Sequence, residues 1–268
     1  MKLTKPDYVQ TAVAGIELFL FGPLADKQAP LVFVLHGAGG NIHSSSGYCR
    51  ELARMGCIAV AFEQRNHGRR LADARCNLWW GSKKEDEFFL MMNNMYEIIL
   101  GTATDVRLLV DALPARLGLE PRRIGVTGFS LGGHATLAAM AMEPRLDVGV
   151  PFIGGGDFYT LMKLRTMQNH HSVNNFETYF KKALAPLVKR FDAIEHGPVF
   201  APRPLLMVNG GSDDVVQLEC NRNFHAVLSP LYKKTPDRLK LSVYEPVKHE
   251  VTPAMWAEGK AWLKRWLF

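Results

Sequence analysis

The amino-acid sequence predicts an α/β protein: a mainly parallel central sheet with helices on both faces and a small helical insertion. Short apolar, β-branched runs bounded by turn residues alternate with longer helical patterns along most of the chain. Several of these runs are apolar without alternation, as in strands buried on both faces. Two of them are separated by about fifty residues with no strand signal, too long a stretch for a structureless loop in a compact domain. With 268 residues, 47% hydrophobic and 22% charged, the chain is long enough for one large core. Disorder, collagen-like repeats and small disulfide scaffolds are excluded by the same composition.

The elements follow in order. The first 25 residues, including Ile16–Phe21, read as an antiparallel edge hairpin. Leu31–Leu35 is a continuous strand run that ends in His36-Gly37-Ala38-Gly39-Gly40. A helix is expected from Ser44 to Met55 and a strand from Cys57 to Phe62. Val106, Leu109, Val110 and Leu113 give helical spacing over Thr102–Leu117, with Thr104 as cap, Asp105 in the first turn and Gly118 as the stop. The strand Arg123–Thr127 runs into Gly128-Phe129-Ser130-Leu131-Gly132-Gly133, and a helix from His134 to Met142 is closed by Pro144. Val148–Ile153 and Leu205–Asn209 are two more buried strands. Between them, residues 154–203 hold a helix-like segment around Phe176–Phe191 and are expected to form a lid over one end of the sheet. Leu218–Leu228 reads as a helix, Leu239–Tyr244 as the last strand and Pro253–Leu267 as a closing helix. Residues 1–268 are expected to make a single domain.

Lys and Arg number 32 against 26 Asp and Glu, a formal charge of +6. The basic residues are spread in pairs such as Arg69-Arg70 and Lys181-Lys182 rather than gathered in a stripe, so a solvated surface is expected and not a nucleic-acid footprint. Cys49, Cys57, Cys76 and Cys220 have no Cys-x-x-Cys spacing and no His at a ligand offset, so they read as reduced thiols and no metal site is expected. The N-terminus lacks a secretory pattern, and no stretch approaches the roughly 18 apolar residues of a membrane span. The expected setting is the cytoplasm, with neither nucleic acid nor membrane as partner.

The chemistry is concentrated in Gly128-x-Ser130-x-Gly132, set between a predicted strand and a predicted helix. A nucleophile on a sharp strand-to-helix turn needs neighbours without a Cβ, so that its hydroxyl stands clear of the sheet. A glycine-rich turn that merely packs a helix onto the sheet is the competing reading. A serine hydroxyl attacks only when a base takes its proton and a third group orients that base. Of the nine His, His249 lies just past the last strand and before the closing helix, where the order Ser, acid, His puts the base. The acid belongs on the loop after Leu205–Asn209, in Gly210-Gly211-Ser212-Asp213-Asp214-Val215-Val216. The spacing Gly210-x-x-Asp213-x-x-Val216 favours Asp213 as the acid, with Asp214 the alternative acid or else a cap of the following helix.

On these residues the chain resembles the α/β-hydrolase superfamily, nearest the dienelactone-hydrolase and prolyl-oligopeptidase-like branch of small serine esterases. The resemblance runs from the His36-Gly37 loop through His249-Glu250-Val251-Thr252. It implies an α/β-hydrolase fold and a serine hydrolase cleaving carboxylic esters through Ser130, His249 and Asp213 by way of an acyl-enzyme. It also implies an oxyanion hole from the backbone N–H groups of Ala38 and Leu131, with Gly39 the competitor of Ala38, and neither metal nor cofactor. Dienelactone hydrolases carry Cys where this chain has Ser130, which favours simple esters over lactones. Glu63-Gln64-Arg65-Asn66-His67-Gly68 resembles the family's Asp-x-Arg-Gly-His-Gly turn, and Arg65 and His67 are read as structural. The expected partner is a small-molecule ester, and a homodimer is compatible with this picture. The alternatives are a small peptidase or acyl-peptide hydrolase of the same superfamily, or a catalytically silent binding protein on this fold.

Specificity is expected from side chains covering Ser130. Trp79, Trp80, Phe158, Tyr159 and His170 are the candidate substrate-binding residues, with Leu78, Met162, His171 and the Phe88–Met92 run beside them. Aromatic and Met side chains suit a mostly apolar pocket. Packing between insertion and core is the competing reading. His170-His171 lacks a carboxylate or Cys to complete a metal site.

Overall fold

A computed structural model describes residues 7–71 and 83–268. Eight strands form one sheet: β1 (Val9–Val13), β2 (Ile16–Phe21), β3 (Leu31–Leu35), β4 (Ile58–Phe62), β5 (Ile124–Phe129), β6 (Val148–Phe152), β7 (Leu205–Gly210) and β8 (Leu239–Tyr244). Their order is β1-β2-β4-β3-β5-β6-β7-β8. β1 and β2 make the antiparallel hairpin at one edge and β2 joins β4 antiparallel; from β4 to β8 every pair is parallel. The hairpin turns through Ala14 and Gly15, both at positive φ (52° and 77°), the conformation that matches the twist of two paired strands.

The continuous apolar runs are buried on both faces because helices lie on each side. Alternate residues Leu31, Phe33 and Leu35 share one core with the helices α2 (Glu85–Leu117) and α3 (Leu131–Met142). Val32 and Val34 belong to a second core, with Cys49 and Leu52 of α1 (Ser46–Arg54) and Leu263 and Leu267 of the closing helix, Pro253–Leu267. The fold is therefore the expected one, a mainly parallel sheet between two helical layers.

Helix α2 differs from the sequence expectation. It runs 33 residues from Glu85 rather than starting near Thr102. Gly101 and the hydrophobic Phe88–Met92 run obscured its first half, yet Phe88, Met92, Met95 and Ile99 continue one buried stripe at helical spacing. Thr104 is consequently no cap: its hydroxyl donates back to the Leu100 carbonyl at 2.8 Å. Asp105 is not at a helix start either, but buried mid-helix, and Pro114 is accommodated one turn before the left-handed Gly118.

Between β6 and β7 the chain is helical, as α4 (Phe158–Gln168), α5 (Val173–Tyr179), a π turn over Phe180–Leu184, α6 (Ala185–Val188) and α7 (Gly197–Phe200). The helix expected around Phe176–Phe191 is thus broken into pieces, with Pro186 at the start of α6. This segment packs on the first half of α2: the Ser172 N–H donates to Glu85 Oε1 at 2.9 Å and the Tyr96 hydroxyl to the Phe158 carbonyl at 3.1 Å. The remaining helices are α8 (Glu219–Leu228) and α9 (Pro253–Leu267). Among the described residues no helix is long and apolar enough to cross a membrane. Cys49, Cys57 and Cys220 are free and buried, and burial pushes their thiol pKa values up; Cys76 lies outside the described residues.

Candidate active site

Ser130 stands between the end of β5 and the start of α3, at φ 54° and ψ −112°. For a non-glycine residue that backbone costs on the order of 1–3 kcal/mol and persists only where the surroundings impose it. Here the Ser130 N–H donates to the Phe152 carbonyl at 2.9 Å, tying the turn to β6. Gly132 lets α3 approach β3, since a Cβ there would lie 2.3 Å from the Leu35 carbonyl oxygen.

Asp213 follows β7 and His249 follows β8, neighbouring parallel strands whose C-terminal ends lie side by side. The two loops dock on each other through backbone. The Ser212 N–H donates to the Val247 carbonyl at 3.0 Å, and a Cβ on Gly210 would lie 2.3 Å from that same oxygen. Asp213 Oδ1 accepts the N–H groups of Val215 and Val216, both at 2.9 Å, leaving Oδ2 for His249 Nδ1 at 2.8 Å. A carboxylate can only accept, so the His249 proton sits on Nδ1 and Nε2 accepts from Ser130 Oγ, also at 2.8 Å. Asp214 is exposed, and its carbonyl, not its carboxylate, meets Arg165 and Gln168 of α4. It does not cap α8, which begins five residues later at Glu219.

The loop after β3 is held by two histidines. His36 Nδ1 donates to the Gly37 carbonyl at 2.8 Å and Nε2 accepts the Gln64 N–H at 3.1 Å; burial lowers its pKa from the usual 6.5 to about 4, so the ring is neutral near pH 7. His67 Nδ1 donates to the Arg65 carbonyl at 2.9 Å while Nε2 accepts the Gly39 N–H at 3.2 Å. Asn66 adopts φ 56°, a region that Asn tolerates better than most side chains, and the Glu63 carboxylate accepts the Arg69 N–H at 2.6 Å. Arg65 and Arg70 both pair with Asp105 of α2. Arg65 and His67 thus brace the turn against α2 and against the β3 loop.

A cavity of about 450 Å³ opens at Ser130 and His249. Gly37, Ala38 and Leu131 form one wall. Leu131 is the first residue of α3, where a helix leaves its N–H without an intrahelical acceptor and its dipole favours negative charge. Met95, Ile153, Leu161, Val215 and Val216 supply the apolar lining, with His134 and Arg165 as polar members. His134 is fully enclosed; its Nδ1 accepts the Gly155 N–H at 2.9 Å, and burial lowers its pKa to about 4.

Of the candidate substrate-binding residues, Phe158, Tyr159 and His170 do not line this cavity. Trp79 and Trp80, with Leu78, lie outside the described residues. Phe158 is buried between Tyr96, His134 and Phe191. Tyr159 packs within the insertion against Phe176 and Phe180, its hydroxyl bonded to Glu177. His170 is exposed at φ 58° in the turn that ends α4. Phe88, Met92 and Met162 are core residues, and His171 lies against Phe88. The lining residues the sequence reading passed over had signals of their own. His134 follows Ser130 by four positions, Leu161 and Arg165 are one turn apart on α4, and Met95 continues the Met91-Met92 face of α2. Among the described residues no three His, Cys, Asp or Glu are gathered as metal ligands.

A model of the alpha/beta hydrolase family matches residues 31–267. Esterase YjfP of Escherichia coli (strain K12) is 25% identical over 245 residues, covering 90% of this chain and 91% of the relative. The crystal structure of TT1662 from Thermus thermophilus superposes with a TM-score of 0.74 at 23% identity and 97% of each chain. That of the Pyrococcus furiosus esterase Pf2001 gives a TM-score of 0.61 at 17% identity, covering 97% of this chain and 93% of the other.

Proposed function

Because the chain belongs to the alpha/beta hydrolase family, we propose that it is a serine hydrolase of carboxylic esters working through Ser130, His249 and Asp213. The observation that carries this reading is the continuous pair of hydrogen bonds from Ser130 through His249 to Asp213, 2.8 Å at each link, opening on a largely apolar cavity. The relative in Escherichia coli is named an esterase, which supports the ester class.

In this mechanism Ser130 Oγ attacks the ester carbonyl while its proton passes to His249 Nε2. Asp213 holds the Nδ1 proton in place and stabilises the imidazolium. The oxyanion is received by the N–H groups of Leu131 and Ala38; the Gly39 N–H is already given to His67, which favours Ala38 as the donor from that loop. Donors of this kind are each worth about 3 kcal/mol of transition-state stabilisation. Collapse breaks the bond to the alkoxy oxygen, which takes the proton from His249 and leaves as the alcohol. Water then attacks the acyl-enzyme by the same route, freeing Ser130 and the carboxylic acid. Residues 154–203 act as the lid, because α4 brings Leu161 and Arg165 to the cavity.

A fluorophosphonate probe should label Ser130, and Ser130→Ala should lose at least about 10³-fold in kcat on a p-nitrophenyl ester while keeping its circular dichroism. Retention of most activity in the variant, or labelling at another residue, would overturn the assignment. Faster turnover of a matched anilide than of the ester would favour a peptidase instead.

A further inference from the structure

His134 lines the cavity one turn after Ser130 on α3, and it takes no part in the proposed mechanism. Side chains on a helix lean back over the turn before them, which carries the imidazole towards Ser130. Its Nδ1 lies 2.9 Å from the Gly155 nitrogen and 3.0 Å from the Gly155 carbonyl oxygen, two contacts that demand opposite tautomers. A buried N–H left without an acceptor is rarer in folded proteins than an under-satisfied carbonyl, so Nδ1 accepts and the proton sits on Nε2. Burial keeps the ring neutral near pH 7. With its free lone pair given to Gly155, the ring cannot serve as a second base for Ser130.

The hydrogen bonds of this ring among the described residues both run through Nδ1. Phe158 and Gly155 cover other parts of it: the two ring centroids are 5.3 Å apart, and a Cβ on Gly155 would lie 3.4 Å from His134 Cε1. The Nε2–H is therefore the polar group that His134 offers to whatever fills the cavity. Ile153, Leu161, Val215 and Val216 of the same lining carry no side-chain acceptor. A neutral donor in such a lining favours an occupant with an uncharged oxygen, since hydrocarbon there leaves the N–H unpaired.

We propose that the ester cleaved at Ser130 carries an uncharged acceptor oxygen (ether, hydroxyl or keto) a few bonds from the scissile carbonyl, and that His134 is the specificity-determining residue that donates to it. The inference rests on the ester-hydrolase reading above. Four residues of helix advance about 6 Å, roughly the reach of two methylenes and one hydrogen bond. The oxygen belongs to either the acyl or the alcohol part, and both present the same acceptor to Nε2.

The test uses two ester pairs in which one ether oxygen replaces one methylene. Methyl 3-methoxypropanoate against methyl pentanoate places the oxygen in the acyl part, and 2-methoxyethyl acetate against butyl acetate places it in the alcohol part. After division by the ratio of their alkaline hydrolysis rates, the wild-type protein should prefer the ether in one pair by about fivefold or more in kcat/KM, as one neutral hydrogen bond supplies. His134→Asn keeps an amide oxygen for the Gly155 N–H but withdraws the donor from the cavity, and should bring that ratio to about one. His134→Gln, which carries an amide N–H close to the place of Nε2, should keep part of the preference; circular dichroism reports whether each variant folds. Absence of a preference in both pairs overturns the inference, whether or not either variant folds. So does a preference that survives in folded His134→Asn, or an equal loss there on ether and hydrocarbon esters, which would mark the residue as packing between α3 and Gly155. Turnover of a p-nitrophenyl ester but of none of these four overturns it as well. If that ester is also untouched by wild-type protein, the ester-hydrolase reading fails and this inference with it.

Discussion

Asp213 and Asp214 are adjacent and chemically identical, and the surroundings alone separate them. Asp213 is buried with two backbone N–H groups on one oxygen and His249 on the other, whereas Asp214 is exposed. An amide in place of the Asp213 carboxylate can present a donor to Nδ1, which favours the tautomer with the proton on Nε2 and leaves no acceptor for Ser130. Asp213→Asn should therefore lower kcat by about 10³- to 10⁴-fold while Asp214→Asn stays within about threefold, measured on a neutral ester. The reverse pattern would assign the acid to the neighbour. At this scale the sequence was informative because Ser130, Asp213 and His249 each follow a strand, in glycine-marked or turn-marked surroundings that could be read locally. The cavity lining was not readable in the same way. Phe158 and Tyr159 looked like pocket residues by type, but a buried aromatic belongs equally well to a core, and only the packing of α4 on α2 separates the two.

Helix α2 connects the insertion with the loop that shapes one wall of the cavity. Its Asp105, 1% exposed, pairs with Arg65 at 2.9 Å and Arg70 at 2.7 Å, both on the segment after β4 that also carries His67. Removing the charge from such a site leaves two guanidinium groups without their shared counter-ion. Arg65 is about half exposed and Arg70 a quarter, so water recovers part of the loss. We expect Asp105→Asn to cost about 2 to 4 kcal/mol in urea unfolding, at or below the range for breaking fully buried pairs. A change under about 0.5 kcal/mol would mean the pairs behave as surface ion pairs do. The same helix shows why element boundaries were harder to read than element types. Glycine at position 101 costs a helix about 1 kcal/mol in isolation, but burial of Phe88, Met92, Tyr96 and Ile99 outweighs it.

For the molecule as a whole, the two buried histidines next to the site set a pH limit on stability. His36 and His134 both have pKa values lowered to about 4 by burial, against 6.5 in an unfolded chain. Above pH 6.5 both are neutral in either state and stability is complete. As the pH falls from 6.5 towards 4 the unfolded chain takes up protons that the folded one refuses, and up to about 3 kcal/mol is lost at each. The melting temperature should therefore be level from pH 8 to 7 and drop between 6.5 and 4.5; a flat profile over that lower window would show that neither imidazole resists protonation. Strand count and direction follow from the sequence alone, since a run such as Leu31–Leu35 is stable only where both faces are covered. The strand-turn-helix pattern around Ser130 is equally local, because glycine spacing there answers a steric demand within a few residues of chain. What the chain brings into contact over 119 residues from Ser130 to His249, and which side chains of α2 and α4 reach the cavity, were decided only by tertiary structure. Those relations depend on how helices separated in sequence pack against one another, and periodicity within a single helix specifies which face is buried without specifying what it meets.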